Sequence, residues 1–539
     1  MSAMNPMNHF PRLDRWRALT RMAAFSVGLL ATLAASAAGA AGDAAALLQE
    51  KCGACHLEEK GWQRITNIRK TPEGWDMTLV RMGIWHKVEL SRAERKTLVK
   101  YLADHQGLAP EESQPHRALI ERQPNSVDVS PSEELTQMCG RCHSVGRVAL
   151  QRRDADEWRK LIHTHVGQFP SIEYSSLGRD RNWFELAQGD LSRRLGELYP
   201  LRADAWRKWQ AARHAAPTGT WRVAGHRPGW GRYAGYMEVA ALGGDRYDVR
   251  YELNFDAGNT LTGRGESVVY AGYEWRGAAQ LGNLDTLSVF AMSPDGKRMA
   301  GRWFLRKADE IGARFEAIRV EAAPAGTILS LSPSLLKAGE TTEIRVAGVR
   351  LGDRFDFGPG IEVDKMTRIS EHEVRLVVSV AGDASVGWRT LGKPDVAARV
   401  AVYRQIDRVR VEPEFGYARL GGGTVAPVTA QFEAIAWLDG PDGKPDTDDD
   451  VRLGPMDAQW SVDNHDERAR ADEDARFAGV MEPHGQFIPA PAGPNPARND
   501  LSNTGDLSVV AKVVDGARTV TGTGRLVVAA QRWNTPPLR

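Results

Sequence analysis

Cys52-Gly53-Ala54-Cys55-His56 and Cys139-Gly140-Arg141-Cys142-His143 use all four cysteines of this 539-residue chain. Two thiols separated by two residues and followed at once by histidine form the attachment pattern of c-type haem. The thiols add across the porphyrin's two vinyl groups, and the adjoining imidazole becomes the proximal iron ligand. The repeat therefore predicts two covalently attached haem c groups. Cys52, Cys55, Cys139 and Cys142 would tether them, with His56 and His143 on the two irons. A pair of zinc half-sites would need further thiolates or a spaced histidine pair for each ion, and no cysteine is left over.

The sequence around the two motifs can be laid over itself. Leu48 and Leu135 each stand four residues before the first cysteine, on the helix face that carries it. Downstream, Trp75 and Trp158 lie in helical stretches, and two helical turns beyond them on the same face stand Met82 and His165. Both are residue types that can take the sixth position on haem iron, which gives the axial pairs His56/Met82 and His143/His165. Met77 and His86 compete for the first haem, and His163 for the second. A thioether ligand raises the haem potential relative to a second imidazole, so the second haem is expected to be the more reducing.

Ser91 and Glu94 form a capping box ahead of a helix with Leu98, Val99, Tyr101 and Leu102 as its apolar stripe. Leu191 to Tyr199 reads as its counterpart. Ser130, Pro131 and Glu133 read as N-cap, first helical residue and capping-box partner of the second haem helix. Helix, haem loop, ligand-bearing segment and closing helix resemble the plan of a class I cytochrome c. The plan occurs twice, over about residues 43–108 and 125–215 of a di-haem domain spanning 41–215.

Arg12, Arg15, Arg17 and Arg21 precede an apolar run from Met22 to Ala35 and a small-residue site at Ala38-Gly39-Ala40. This is the layout of a secretory signal peptide over residues 1–40, and it predicts a periplasmic location. The run is shorter than the roughly 20 residues a bilayer span needs, so no membrane anchor is expected. Net charge is +1, from 70 basic and 69 acidic side chains, and nothing indicates a nucleic-acid partner.

Past Pro217 the grammar changes to alternation. Tyr247, Val249, Tyr251, Leu253 and Phe255 alternate with polar residues, as in a half-buried strand. Ser267–Trp275 and Met299–Leu305 read the same way, so residues 217–325 suit a small antiparallel barrel. Short strands with frequent turns suggest an immunoglobulin-like sandwich over 326–405. A further β-sandwich is expected over 406–539, with strands at Val425–Leu438, Ser508–Val514 and Thr519–Ala529. The fold class is thus multidomain, a helical tandem cytochrome domain followed by three antiparallel β domains.

Clustered aspartates from Asp442 to Asp450 could ligate calcium through hard oxygens, but the EF-hand spacing is missing and Pro-Asp-Gly is ordinary hairpin chemistry. A solvated loop is the expectation. The β region carries no nucleophile elbow, zinc-protease helix or phosphate loop, and it reads as a scaffold on which other subunits dock. No catalytic residue is expected on this chain.

This order of signal segment, two haem motifs and three β domains resembles the alpha subunit of quinohemoprotein amine dehydrogenase over nearly the full length. The resemblance rests on the two Cys-x-x-Cys-His motifs with the Trp75/Met82 and Trp158/His165 pairs in support. It implies a periplasmic heterotrimer that oxidises primary amines to aldehydes and ammonia. In that family a small subunit bears a cysteine tryptophylquinone, a β-propeller forms another subunit, and electrons pass to a blue-copper protein or soluble cytochrome c. Because haem motifs hold every cysteine here, the quinone would belong to another chain and this one would handle electrons. Two other readings use the same residues. A di-haem cytochrome c peroxidase-like or other cytochrome subunit would, as a peroxidase, need a displaceable sixth ligand. A haem-bearing β-sandwich sensor or adhesion protein would act without redox partners.

Overall fold

The computed structural model describes residues 43–56, 59–124, 126–174, 180–391, 398–498 and 502–530. The signal segment expected over residues 1–40 lies outside them. The described chain begins helical and turns to sheet after residue 218, antiparallel as expected except where Leu335–Lys337 pairs parallel with Ala398–Tyr403 and Phe415–Arg419 pairs parallel with Arg518–Ala529.

The first helical unit comprises a helix over residues 43–52 (α1), α2 Glu59–Thr66, the short strand β1 Ile68–Lys70, α3 Pro72–His86 and α4 Arg92–His105. Leu48, Trp75, Leu79, Leu98 and Leu102 form its core, with Leu98 fully buried. The Ser91/Glu94 capping box that starts α4 is present. Two single-turn helices, α5 Pro110–Ser113 and α6 Arg117–Ile120, lead to the second unit.

That unit holds α7 Glu133–Cys139, α8 Gly146–Ala149, the strand β2 Gln151–Arg153 and α9 Ala155–Gln168, and it closes with the helix Ser192–Leu198. Leu135, Met138, Trp158, Ile162, Trp183 and Leu195 make its core. The cap of α7 differs from expectation. Ser132, not Ser130, is the N-cap, and its hydroxyl accepts from Leu135 N at 3.2 Å. Pro131 therefore precedes the helix instead of opening it, and Glu133 becomes the first helical residue. Ser130 donates to Ser132 O at 2.8 Å, shaping the approach. Ser132→Ala is expected to cost about 1 kcal/mol, read as an earlier thermal loss of the helical far-ultraviolet signal.

Three-residue strands join the two units. β1 and β2 pair antiparallel with Ile68 opposite Arg153, Arg69 opposite Arg152 and Lys70 opposite Gln151. Each strand runs directly into a capped helix. Thr71 accepts from Gly74 N at 3.2 Å to start α3, and Asp154 accepts from Glu157 N at 2.8 Å to start α9. The pairing therefore sets the equivalent helices of the repeat about a local two-fold junction.

Eight antiparallel strands, from Gly219–Arg227 to Ala308–Arg319, close into a barrel, the last strand pairing with the first from Arg314/His226 to Arg319/Trp221. Tyr247, Val249, Tyr251, Leu253 and Phe255 are all buried, as their alternation required. The interior is packed solid with Trp221, Trp275, Phe290 and Phe315, the last two stacked at 4.0 Å. Ser267–Trp275, expected as one strand, is two: Thr260–Tyr270 and Glu274–Leu281 with a turn between. The break lies at Ala271 and Gly272, both at positive φ, where a Cβ on Gly272 would meet the His214 ring at 2.5 Å.

The helix Asp204–Ala211 plugs this barrel, since Trp206 and Trp209 join its core and Trp209 donates to Ala271 O at 2.7 Å. Tyr273 reaches back to Ser113 at 2.8 Å, and Glu274 pairs with Arg117 at 2.6 Å. The barrel is thus welded to the helical units by buried contacts.

Between Thr327 and Tyr403 a four-stranded and a three-stranded sheet share one core, which includes Leu336, Ile344, Leu376 and Val400. Beyond Arg408 three further sheets surround Phe432, Phe487, Leu507 and Leu526. Val425–Leu438 is interrupted: Val425 makes an isolated bridge with Gly422, and regular pairing begins at Ala430–Gln431 and Glu433–Leu438. Pro427 cannot donate to a ladder. Gly505–Asp515 and Arg518–Ala529 contain the other two expected strands. Two short helices, Glu467–Ala471 and Asp474–Phe477, interrupt this otherwise β-rich region.

Candidate haem-binding site

Each attachment motif sits where a helix ends. Cys52 is the last residue of α1, and the turn that follows is closed by His56 N donating to Cys52 O at 2.9 Å. Gly53 is required there, because a Cβ would lie 2.4 Å from Gln49 O. Cys139 likewise ends α7, and a Cβ on Gly140 would meet Thr136 O at 2.8 Å. In both motifs the first cysteine is half-buried and the second exposed.

Backbone carbonyls orient the imidazoles of the two motifs. His56 Nδ1 donates to Gly61 O at 2.8 Å, and His143 Nδ1 donates to Ser144 O at 2.9 Å. A carbonyl can only accept, so Nδ1 carries the proton and Nε2 keeps its lone pair for a metal. His165 shows the same arrangement, with Nδ1 donating to Leu161 O at 3.0 Å.

The structure brings His165 near enough to His143 for its charge to register there. Burial is the chief cause that pushes both imidazoles below their ordinary value, and Arg81, Arg147 and Arg153 depress His165 further. Both are held neutral, the form that ligates iron. Trp183 and Phe169 stand 6.5 Å from the His165 ring. The competing His163 is exposed and stacks edge-on against Phe184 at 4.9 Å. For the first unit, Met82 is half-buried on α3, whereas Met77 and His86 are exposed. The pairing of Met82 with His56 rests on the repeat.

Burial pushes the Cys139 thiol up to about 12, with Glu134 adding to it, and burial also raises Cys52 and Cys142, so these thiols are protonated in the free chain. Among the described residues no three His, Cys, Asp or Glu side chains converge on a point that could hold a bare metal ion. Paired thiols at a helix end, with a neutral imidazole presenting Nε2, suit covalent haem. The Asp442–Asp450 loop turns its carboxylates inward: Asp442 accepts from Lys444 N at 2.8 Å, Asp450 from Asp446 N at 2.8 Å, and Asp450 also pairs with Arg408.

The two helical units meet across the β1–β2 junction. Arg64 reaches Glu157 at 3.0 Å, and Asn67 reaches Asp154 at 3.4 Å. A buried carboxylate from the connector, Glu112, receives Arg69 through two bonds of 2.8 Å and Arg152 at 2.9 Å. Sequence reading missed this ion cluster. It also missed a repeated cation five residues before each tryptophan: Lys70 lies 5.5 Å over Trp75, and Arg153 lies 5.7 Å over Trp158. That second signal was present in the register of the repeat.

Family models match the chain in order. The haem-binding model of quinohemoprotein amine dehydrogenase A, alpha subunit, covers residues 42–206. Models of alpha subunit domains II, III and IV cover residues 214–320, 325–404 and 409–538. No curated protein sequence matches. Solved structures with similarity include a redesigned beta barrel, mFAP0, bound to DFHBI, 18% identical over 20% of this chain and 100% of that one, at a TM-score of 0.18. Mouse clustered PcdhgC3 EC1-3 is 11% identical over 46% of this chain and 76% of its own, at 0.17. Zebrafish RET cadherin-like domains 1 to 4 are 9% identical over 45% and 62%, at 0.18. At these TM-scores none bears on function.

Proposed function

From its membership of the quinohemoprotein amine dehydrogenase alpha-subunit family, to which this haem-binding chain belongs, we propose that it is the di-haem electron-transfer subunit of a periplasmic amine dehydrogenase. It takes electrons released by primary amine oxidation from a cysteine tryptophylquinone on a small partner subunit. It delivers them to a soluble copper protein or cytochrome c, with a β-propeller subunit completing a heterotrimer. The observation that carries the reading is the repeat itself. Two Cys-x-x-Cys-His turns close helices of two equivalent units, and one antiparallel junction holds those units together.

Cys52 and Cys55 would tether the first haem, with His56 and Met82 as ligands. Cys139 and Cys142 would tether the second, with His143 and His165 as ligands. Bound haem supplies reversible one-electron redox chemistry. The chain's own residues prepare for it. Backbone carbonyls of Gly61, Ser144 and Leu161 fix the three imidazoles with Nε2 presented, and buried Trp75 and Trp158 keep water from the ligand helices. All four cysteines lie in the two motifs, so the amine-reacting quinone has no place on this chain. We assign residues 1–40 to a signal peptide, 41–215 to the tandem cytochrome c-like domain, 217–325 to the barrel, and 326–405 and 406–539 to two sandwiches, the first immunoglobulin-like.

Purification of the native complex tests the reading. The mass of this chain is expected to include two porphyrins, and a quinone-staining small subunit is expected to copurify. A chain free of porphyrin would end the proposal. Redox titration is expected to resolve two waves, with Met82→His removing the higher one because imidazole lowers the potential relative to a thioether. A persistent high wave would exclude Met82.

A further inference from the structure

An apolar stripe runs along the outer face of α3. Met77 is 47% exposed, Ile84 60% and Trp85 43%. Single exposed apolar residues are ordinary, but three within one helix form a patch. Met77 and Ile84 stand two turns apart along one face. Trp75, Leu79 and the half-buried Met82 share the opposite face, where Trp75 and Leu79 lie in the core that Cys52 joins. The stripe therefore turns away from the side on which Met82 and the first motif lie, with only α3 itself between them.

Cations border the stripe. Lys87 ends α3, and Arg92 and Lys96 stand one turn apart at the start of α4; all three are exposed. Ion pairs hold α4 beside both the stripe and the motif. Arg95 pairs with Asp76 at 3.0 Å, and Glu94 pairs at 3.2 Å with Lys51, the residue before Cys52. Among the described residues Lys87, Arg92 and Lys96 have no carboxylate partner, and Glu89 is the free carboxylate between them.

Lys87 also stands at a strained position. It caps α3 at φ 59° and ψ 28°, its N–H donating to Met82 O. Glycine is the usual occupant of such a left-handed helix end, because a Cβ is disfavoured there. Lysine is less stable here than glycine would be, and what it adds is an exposed charge at the end of the stripe.

An apolar centre with a basic rim fits a partner of opposite charge: charge steers the encounter, and apolar contact gives it residence. We propose that this face of α3 and α4 docks an acidic, soluble one-electron carrier as the acceptor of the electrons this chain delivers. The inference rests on the electron-transfer reading above and names the surface at which the acceptor is met. The thioether expected from Met82 makes the first haem the higher-potential centre of the two, and so the point of exit. In each encounter its iron goes from ferrous to ferric, the carrier's oxidised metal gains that one electron, and no bond or proton changes hands.

The native complex tests the proposal, with an acidic cytochrome c as probe and a basic cytochrome c as control. Reduction of the haems by amine is measured first, without any acceptor. A native complex whose haems amine does not reduce would sink the electron-transfer reading and this inference with it. In a complex that passes, Arg92→Glu and Lys96→Glu are expected to weaken calorimetric binding of the acidic carrier. They should also slow its reduction about tenfold at low salt, a difference that fades as salt screens the charges. Lys87→Gly is expected to weaken binding in the same direction while raising the thermal unfolding midpoint. A charge that served only the fold would not pair those two effects. Ile84→Ser is expected to speed dissociation and leave the salt dependence unchanged. Native-like binding and rates in Lys96→Glu and Lys87→Gly would overturn the proposal, as would tighter binding of the basic carrier. Loss of a companion subunit, or of haem reduction by amine, in these variants would overturn it too, by showing that the face is a permanent subunit contact.

Discussion

Serine at both Cys139 and Cys142 is expected to give a chain carrying one porphyrin instead of two, with amine-dependent reduction of the external acceptor lost. On the proposed assignment these thiols would be the covalent tether, and no other cysteine could substitute because the remaining pair lies in the first motif. The structural consequence extends beyond the tether. Cys139 packs against the core of Leu135, Met138, Trp158 and Trp183, and Trp183 Nε1 anchors that core to Met138 O at 2.7 Å. A bound group that favours the folded state adds stability in proportion to its binding. The second unit should therefore unfold earlier, while the first keeps its haem, its capped α4 and its buried Leu98. Mass spectrometry and haemochrome absorbance read the stoichiometry, and half the native haem absorbance is the expected value. Retention of two porphyrins, or of full electron transfer with one, would refute the assignment.

Much of this fold could be read along the chain because its signals are local. The Ser91/Glu94 capping box and the alternation of Tyr247 to Phe255 each occupy a few consecutive residues, and each appears where expected. Errors arose where a local pattern had two solutions. Ser130 and Ser132 both offer a capping hydroxyl, and only the path of the chain selects Ser132. Ser267–Trp275 is apolar enough for one strand, but the positive φ of Ala271 and Gly272 breaks it. The junction itself was not legible. Ile68-Arg69-Lys70 and Gln151-Arg152-Arg153 show no apolar alternation, and their partner Glu112 is distant in sequence from both arginines. The unpaired Nε1 of buried Trp158 likewise shows only in three dimensions, since its counterpart Trp75 donates to Gln106 O at 3.0 Å.

That junction sets the second large effect. Arg69 and Arg152 face each other directly across β1 and β2, and like charges so placed repel. Glu112 resolves the conflict by accepting from both arginines and from Ala109 N at 2.8 Å. All three side chains are buried, at 4%, 7% and 8% exposure for Arg69, Arg152 and Glu112. Glu112→Ala would leave two buried guanidiniums opposite one another without a counter-charge, a loss expected to cost about 3–5 kcal/mol. Glu112→Gln keeps the shape but removes the charge, so it should weaken the junction while disturbing packing less. Burial alone would raise the Glu112 carboxyl, but Arg69 and Arg152 outweigh it and hold it below the ordinary carboxylate range. A depressed carboxyl contributes stability that is present at neutral pH and is lost as the pH falls through its folded value. Denaturant unfolding followed at the haem absorbance should therefore show the native protein weakening on acidification, with Glu112→Gln lacking that part of the dependence. If Glu112→Ala unfolds at the native midpoint, the two helical units are held together by their apolar contacts and the ion cluster is incidental.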